Sequence, residues 1–430
     1  MHSVNSPKHT PVDQSQLQND VSAQQNSAPK KSEKLEARGV SVETQKGSTP
    51  PSTSNTKPLD TASTETLANR IKPPSQTSSE SVTQEASPPF EADRTALEQN
   101  AKRLGAGAYG EVYLVKQDGK SFAFKVASTE AGWQALQQEA QVYGKLAEIG
   151  PHDNVVKSMG IVEVQGVQGL ALEYVEGHEA GKLFTTAEKL YTDNKLSHSQ
   201  YWGTVQFIMR DVLSGVQHLA QAGISHSDIK GGNLLYDKES QAIKIVDLGN
   251  AAKIGVDPVA VGTPDHSAPE ALLSLPQKDA DKPRANEKQD TFAVGQMTYR
   301  AGEHAENLFG AQNTGDPATL SYSMHSKLRD IERRGETIEY QAINQADDPA
   351  VAGTPGHFGK GGGETAYVEF VNISTLLDID VRGTAEELLK TNFISDPLCQ
   401  PDEARQVISG LMTKMEEDHK AELAAFMQQT

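Results

Sequence analysis

No Phe, Tyr or Trp precedes Phe90 in this 430-residue chain, and the whole sequence holds one cysteine and two tryptophans. A lone Cys399 excludes an intramolecular disulfide framework and any Cys-based zinc spacing, and reads as a small residue in or near a core. Long apolar runs are absent too. None approaches the ~20 residues that a membrane-spanning helix needs, and the opening MHSVNSPKHT lacks the basic-then-apolar layout of a secretory signal. The expectation is a soluble chain without a transmembrane segment, whose export, if any, uses another route. Positive charge is short as well: 40 Lys and Arg stand against 58 Asp and Glu, a net charge of −18. That balance argues against nucleic acid or an anionic membrane as the main partner of the folded part.

What the chain has in excess lies at its start. Residues 1–90 hold 26 Ser or Thr, with nine basic residues matched by nine acidic ones. The net negative charge therefore belongs entirely to residues 91–430. A segment this poor in apolar side chains cannot offset its ordering entropy, so residues 1–92 are expected to be disordered. Two readings stand for it: an inert solvated tail, or an export or chaperone-binding segment. Its hydroxyls are accessible to autophosphorylation in either case.

Folded-looking sequence begins near residue 97. EVYLV and SFAFKVA alternate and are rich in β-branched and aromatic residues, and QDGK between them reads as a hairpin turn preceded by a glycine-rich turn. Residues 130–148 carry a helical pattern, and IVEVQGVQGLALEYV (161–175) reads as two further strands. After 175 helices dominate. Val205, Ile208, Met209, Val212, Val216 and Leu219 recur at intervals of three and four, with Gly223 as the stop. Short strands follow at NLLYD and AIKIVD. Residues 350–365 read as a Gly-rich loop. The last thirty residues read as one or two helices, which either close the large lobe or project as a partner-binding arm.

Several short motifs carry chemistry. LGAGAYGEV places glycines at 105, 107 and 110 with Val112 beyond, so bare backbone N–H groups can approach phosphate oxygens. Alone the pattern also suits a dinucleotide fold, but strands, and no helix, follow the glycines. On the strand FAFKV, Lys125 should project to the same side as Ala123 and away from Phe124 and Val126. A lone strand Lys is usually a solvated charge; Glu139 on the next helix is the acid that would hold it over a phosphate. HSDIKGGN sets Asp228 two residues before Lys230 and five before Asn233. The carboxylate can accept a proton from an attacking hydroxyl, the Lys can neutralise a γ-phosphate, and the Asn carbonyl can hold a metal ion. Asp247 in IVDLGNA follows at hairpin spacing and can coordinate Mg²⁺.

Taken in order with GTPDHSAPE (262–270), DTFAVG (290–295) and DVRGTAEELLKTNFI (380–394), these motifs resemble the eukaryotic-type protein kinase family over residues 100–395. The resemblance implies an α+β, bilobal protein-kinase-like fold. Its small β-rich lobe with one helix would span 93–176, and its larger, mainly helical lobe 177–397, with an inserted loop near 340–370. Residues 398–430 would be a helical extension. ATP and Mg²⁺, with Mn²⁺ as an alternative, are the implied nucleotide and metal. Lys125 would contact the α and β phosphates and pair with Glu139. Asp228 would be the base, Lys230 the phosphate neutraliser, and Asn233 and Asp247 the metal ligands. Leu104, Gly105, Gly107, Gly110, Val112, Ala123 and Leu235 would line the nucleotide. Leu172 would be the gatekeeper, and Glu173 to Val175 would offer backbone groups to adenine. Glu270 would pair with Arg382, and Asp290 would brace the catalytic loop.

Asp-Ile-Lys (228–230) and Gly-Thr (262–263) resemble the Ser/Thr class, in which the Thr263 hydroxyl bridges Asp228 and Lys230. HSDIKGGNLLYD and IVDLGNA further resemble the type III secreted effector kinases of Gram-negative bacteria, the Yersinia protein kinase A group. That resemblance implies a destination in host-cell cytoplasm, protein substrates, a host activator protein and a secretion chaperone at the N-terminus. Two departures matter. Ser227 replaces the Arg that usually meets a phosphorylated activation loop, which implies that loop phosphorylation is not the switch, and Leu248 replaces the usual Phe. The competing reading is a catalytically silent scaffold that binds nucleotide and partners. Loss of Lys125, Asp228 or Asp247 would favour it, and all three are present.

Overall fold

The computed structural model describes residues 88–107, 110–302, 317–334 and 363–429. The disorder expected of residues 1–92 therefore falls outside them except at its end, where Pro89–Glu91 form a 3-10 turn and Phe90 is half-buried. The inserted loop expected near 340–370, and the Gly-rich loop at 350–365, likewise fall outside up to residue 362. From Gly363 onward the chain is helical, so the tail of that expected loop is corrected.

A short helix α1 (Thr95–Asn100) leads into five antiparallel strands: β1 (Lys102–Gly107), β2 (Gly110–Gln117), β3 (Lys120–Ala127), β4 (Ser158–Val164) and β5 (Val167–Glu173). Helix α2 (Glu130–Ile149) joins β3 to β4, and the sheet order is β1-β2-β3-β5-β4. Two features go beyond the sequence reading. Strand β1 contains Gly105 and Gly107 and Gly110 opens β2, so the glycine motif forms the end of a β1–β2 hairpin instead of merely preceding one. Helix α1 adds a second helix to the small lobe. Asp118 and Gly119 both take positive φ (51° and 74°), the backbone that lets a two-residue turn match the twist of β2 and β3.

Alternation along β2 and β3 sorts the two faces. Tyr113, Val115, Phe124 and Val126 are buried with Leu97 of α1 in an outer cluster. Ala123 and Lys125 point the other way, opposite Leu172 and Leu170 of β5.

The larger lobe opens with β6 (Gly177–Glu179), α3 (Ala180–Thr192) and α4 (His198–Gln221). Helix α4 starts at a capping box between Ser197 and Gln200, and Gly223 just past its end takes φ 70°. Its apolar stripe from Val205 to Leu219 is buried. Cys399 packs on this helix against Gly203, where a Cβ would overlap the thiol, in keeping with a small core residue. Short strands β7 (Ile224–Ser225), β8 (Leu234–Asp237), β9 (Ala242–Ile245) and β10 (Ala252–Lys253) carry the loops between the lobes. Helices α5 (Pro269–Leu273), α6 (Lys288–Gly302), α7 (Pro317–Arg334), α8 (Gly363–Thr375), α9 (Ala385–Leu389) and α10 (Asn392–Ser395) complete the body. Helix α11 (Pro401–Gln429) buries Ala404, Ile408, Leu411 and Met412, then runs on with Leu423 and Met427 exposed. It closes the lobe with its first half and extends past it with its second.

The lobes are sewn together behind the cleft. Ile245 N–H donates to the Asn154 carbonyl (2.9 Å), Val156 N–H to the Ile245 carbonyl (3.0 Å), and the Asn154 amide to the Ile243 carbonyl (2.8 Å). Lys244 of β9, 3% exposed, reaches Glu173 at the end of β5 at 2.9 Å.

Candidate active site

Every residue expected to act on the reacting groups, line the nucleotide or hold the metal borders one cleft of about 670 Å³ between the lobes. Gly105, Gly107 and Gly110 form its roof beside Leu104 and Val112, with Ala123 behind them. Gly110 is required sterically: a Cβ there would overlap the Val126 carbonyl oxygen of the paired strand. Leu172, Glu173 and Val175 line the wall where β5 leaves the sheet, and Leu235 of β8 forms the floor. The volume falls in the range of a pocket for a drug-sized ligand.

The polar end of the cleft is built from three elements. Lys125 on β3 places its ammonium 2.7 Å from Glu139 Oε2 on α2 and 2.7 Å from Asp247 Oδ1 after β9. Burial alone would lower the Lys125 pKa, but the two carboxylates outweigh it and leave it raised. The same burial pushes the Glu139 carboxyl up against the pull of Lys125. For Asp247 burial is outweighed by Lys125, and its carboxyl is held below the usual value. Asp247 sits in the left-handed region, φ 64° and ψ 74°. A non-Gly residue there stores on the order of 1 kcal/mol, and that backbone turns its carboxylate toward Lys125.

Asp228 is surrounded by donors. Oδ1 accepts from the Thr263 N–H (2.7 Å) and the Thr263 hydroxyl (2.8 Å). Oδ2 accepts from Lys230 (2.8 Å), the Asn233 amide (3.1 Å) and the Asn250 amide (3.4 Å). Lys230 also donates to the Thr263 hydroxyl at 2.8 Å, so Thr263 bridges base and cation as the resemblance implied. Burial would raise the Asp228 carboxyl; Lys230 and Thr263 outweigh it and hold it below the usual carboxylate value. The loop itself is braced by Asp290 of α6, which accepts from the N–H groups of His226 (2.7 Å) and Ser227 (2.8 Å) and from the Ser225 hydroxyl (3.1 Å).

These shifts fix a sign for pH dependence. Asp228 stays ionised well below neutrality, so acidification does not reach this carboxylate first. Glu139, whose carboxyl is raised, is the group that protonates first and releases Lys125. The acid limb of a kcat–pH profile is therefore expected above the ordinary Glu value. A limb that instead falls below the ordinary Asp value would assign it to Asp228.

A hard divalent cation fits the arrangement. The Asn233 amide nitrogen is spent on Asp228, also donating to its carbonyl at 2.9 Å, which leaves the side-chain carbonyl oxygen for a metal. Asp247 keeps a carboxylate oxygen beyond the one bound to Lys125, and its side chain is 48% exposed. One carboxylate and one amide oxygen, without a cluster of three or more acidic, His or Cys side chains among the described residues, match Mg²⁺ bound jointly by protein and phosphate.

The segment after Asp247 is fastened by its backbone. Strand β10 pairs with β7, Ile254 N–H donates to the Gly223 carbonyl (2.9 Å), and Gly255 N–H to the Ala285 carbonyl (2.8 Å). Val259 N–H donates to the Pro283 carbonyl (2.8 Å), and Ala285 N–H to the Asp257 carbonyl (2.9 Å). Residues 248–262 contain no Ser, Thr or Tyr. Further on, Glu270 of α5 takes a bidentate pair from the fully buried Arg382.

With this geometry in place, comparison with known proteins is decisive. The family model described as protein kinase domain matches residues 99–394. The chain belongs to the protein kinase family. Among curated relatives, this kinase is 26% identical to protein kinase YpkA of Yersinia pseudotuberculosis over 269 residues, which cover 61% of this chain and 33% of that protein. It is 32% identical to serine/threonine-protein kinase chk-1 of Caenorhabditis briggsae over 180 residues, 39% of this chain and 34% of the relative. It is 28% identical to dual specificity testis-specific protein kinase 1 of Mus musculus over 207 residues, 45% and 30%. The kinase thus spans about a third of the length of the curated relatives it matches.

Three groups at this kinase's site are absent from the sequence reading. Asn250 joins the donors on Asp228, and only its position two residues past Leu248 hinted at it. Lys244 holds Glu173, and the signal was a charge inside the apolar run AIKIVD, where a buried ammonium needs a partner. His226 places Nε2 3.0 Å from the Val246 carbonyl and ties the catalytic loop to the strand before Asp247.

Proposed function

We propose that the chain is a Ser/Thr protein kinase that transfers the γ-phosphoryl group of ATP to protein hydroxyls. The observation that carries this reading is the Thr263 hydroxyl lying 2.8 Å from both Asp228 and Lys230, which couples the base, the cation and the substrate-facing segment. In this reading the acceptor oxygen attacks the γ-phosphorus while Asp228 takes its proton. The bond from that phosphorus to the β-bridging oxygen breaks, and ADP departs. Lys230 offsets charge on the γ-phosphoryl group, and Lys125, steadied by Glu139, does so on the α and β phosphates. Leu104, Val112, Ala123, Leu172 and Leu235 enclose adenine, and backbone groups of Glu173 to Val175 hydrogen-bond its edge. The glycines at 105, 107 and 110 bring N–H groups to the phosphates. Mg²⁺, or Mn²⁺, held by Asn233 and Asp247, would supply charge neutralisation to the nucleotide.

The wider setting is part of the proposal. The likeness to the Yersinia kinase and the Ser/Thr-rich start support a secreted effector acting on proteins in host cytoplasm, with a secretion chaperone at its N-terminus. Ser227, in place of Arg, supports an activator protein from the host over a phosphorylated loop. No described helix is long and apolar enough to cross a membrane.

The test is incubation with γ-labelled ATP and Mg²⁺, with and without host-cell extract, followed by phosphoamino-acid analysis. Label on Ser and Thr alone supports the reading, and label that needs extract supports the activator. Label on Tyr would overturn the Ser/Thr assignment, and ATP binding without transfer to any protein would leave the scaffold.

A further inference from the structure

The helix that carries Glu139 is held from outside by the ten residues before the sheet. The 3-10 turn Pro89–Glu91 lies against α2, β3 and β5. Phe90 packs on the rim of the main core, as do Trp133 and Ala140 of α2. Four residues on, the Arg94 guanidinium donates to the Ala127 carbonyl and to the Ser128 hydroxyl (3.2 Å), and stands 3.7 Å from Glu111 of β2. Ala127 ends β3, which carries Lys125, and Ser128 joins it to Thr129, the N-cap of α2. Leu97 then anchors the segment, fully buried in the outer cluster with Phe124 and Val126.

Phe90 grips the helix, Arg94 grips the joint that sets its position, and Leu97 fixes both to the sheet. Inside the cleft, the Lys125–Glu139 pair is formed only when α2 lies close to β3. Arg94 spends its polar contacts on one backbone carbonyl, one hydroxyl and one carboxylate outside the cleft, and keeps only 14% of its side chain exposed while doing so. We propose that residues 88–97 are a strap that positions α2, with Phe90 and Arg94 as positioning residues for Glu139 and, through it, for Lys125. This rests on the reading of the cleft as a nucleotide site.

The two tryptophans make the strap testable without turnover. Trp133 lies half-buried on α2, whereas Trp202 is wholly buried on α4 and contributes a constant background. In the full-length chain, Phe90→Ala and Arg94→Met are each expected to shift Trp133 emission to the red and to lower kcat about tenfold, with KM for ATP raised. Saturating Mg·ATP should restore the emission, because nucleotide favours the docked helix; a merely structural loss would not respond to nucleotide. Phe90→Leu and Arg94→Lys should recover most of both readouts, and Phe90→Leu with Arg94→Met serves if Phe90→Ala does not fold. Unchanged emission and kcat in both first variants, or a red shift that Mg·ATP does not reverse, overturns the strap. If the wild type binds ATP but transfers no phosphate, the kinase reading fails while the emission result still decides the strap.

Discussion

Asp228→Asn is expected to lower kcat about 10³-fold, equivalent to about 4 kcal/mol of transition-state stabilisation, with ATP affinity nearly unchanged. The reason is the one-sided surroundings of the carboxylate. Thr263 donates to Oδ1 through both its N–H and its hydroxyl, while Lys230, Asn233 and Asn250 donate to Oδ2. An amide nitrogen placed on either side would face donors and none of the acceptors it needs, so the variant loses the base and disturbs the loop together. Asp228→Ala, which leaves no misplaced donor, should be no worse than Asn in kcat. Steady-state kinetics beside nucleotide-binding titrations check the pair. A kcat within tenfold of wild type in both variants would remove Asp228 from the reaction.

The largest effect on stability is expected at Arg382→Lys, about 3–5 kcal/mol in denaturant unfolding of the intact chain. Arg382 is 1% exposed and uses all five of its N–H donors. Nε bonds the Leu376 carbonyl at 2.7 Å. Nη1 bonds Glu270 at 2.9 Å and the Lys288 carbonyl at 3.0 Å, and Nη2 bonds Glu270 at 2.9 Å and the Leu377 carbonyl at 3.5 Å. Its carbon centre also lies 5.2 Å from the Phe292 ring centroid. An ammonium has three donors and cannot form the planar fork, so at least two of these five acceptors would be left unpaired in a dry interior. Replacing both partners, Arg382→Met with Glu270→Gln, should cost less than Arg382→Met alone, since no uncompensated carboxylate then remains. Additive losses in that cycle would show that the two residues act independently.

The residues that meet in the cleft were legible in the sequence because each proposed role requires a particular residue type inside a segment only a few residues long. Asp228, Lys230 and Asn233 share one loop, and a single hairpin carries the chain from there to Asp247. The small lobe was legible because half-buried strands alternate, as EVYLV and SFAFKVA do. What stayed hidden depends on tertiary partners. KRLGAG has no β-branched residue and forms β1 only because β2 supplies its hydrogen bonds. TALEQN offers a single buried side chain, Leu97, too little for a helical period over six residues. Lys244 reads as an interruption until Glu173 stands opposite it, and Phe90 closes a polar tract until α2 provides a surface for it.

The hydroxyl-free run from Leu248 to Gly262 also bears on how such a protein can be turned off. Its backbone is fastened to Gly223 and to residues 283–285 without any side-chain hydroxyl to phosphorylate. A phosphatase finds nothing there to cleave, so the usual erasure of a kinase signal has no foothold on this segment. The duration of its output then depends on how much of the kinase is present and how long each copy survives proteolysis. A clamp made of main-chain hydrogen bonds turns a reversible switch into a dose.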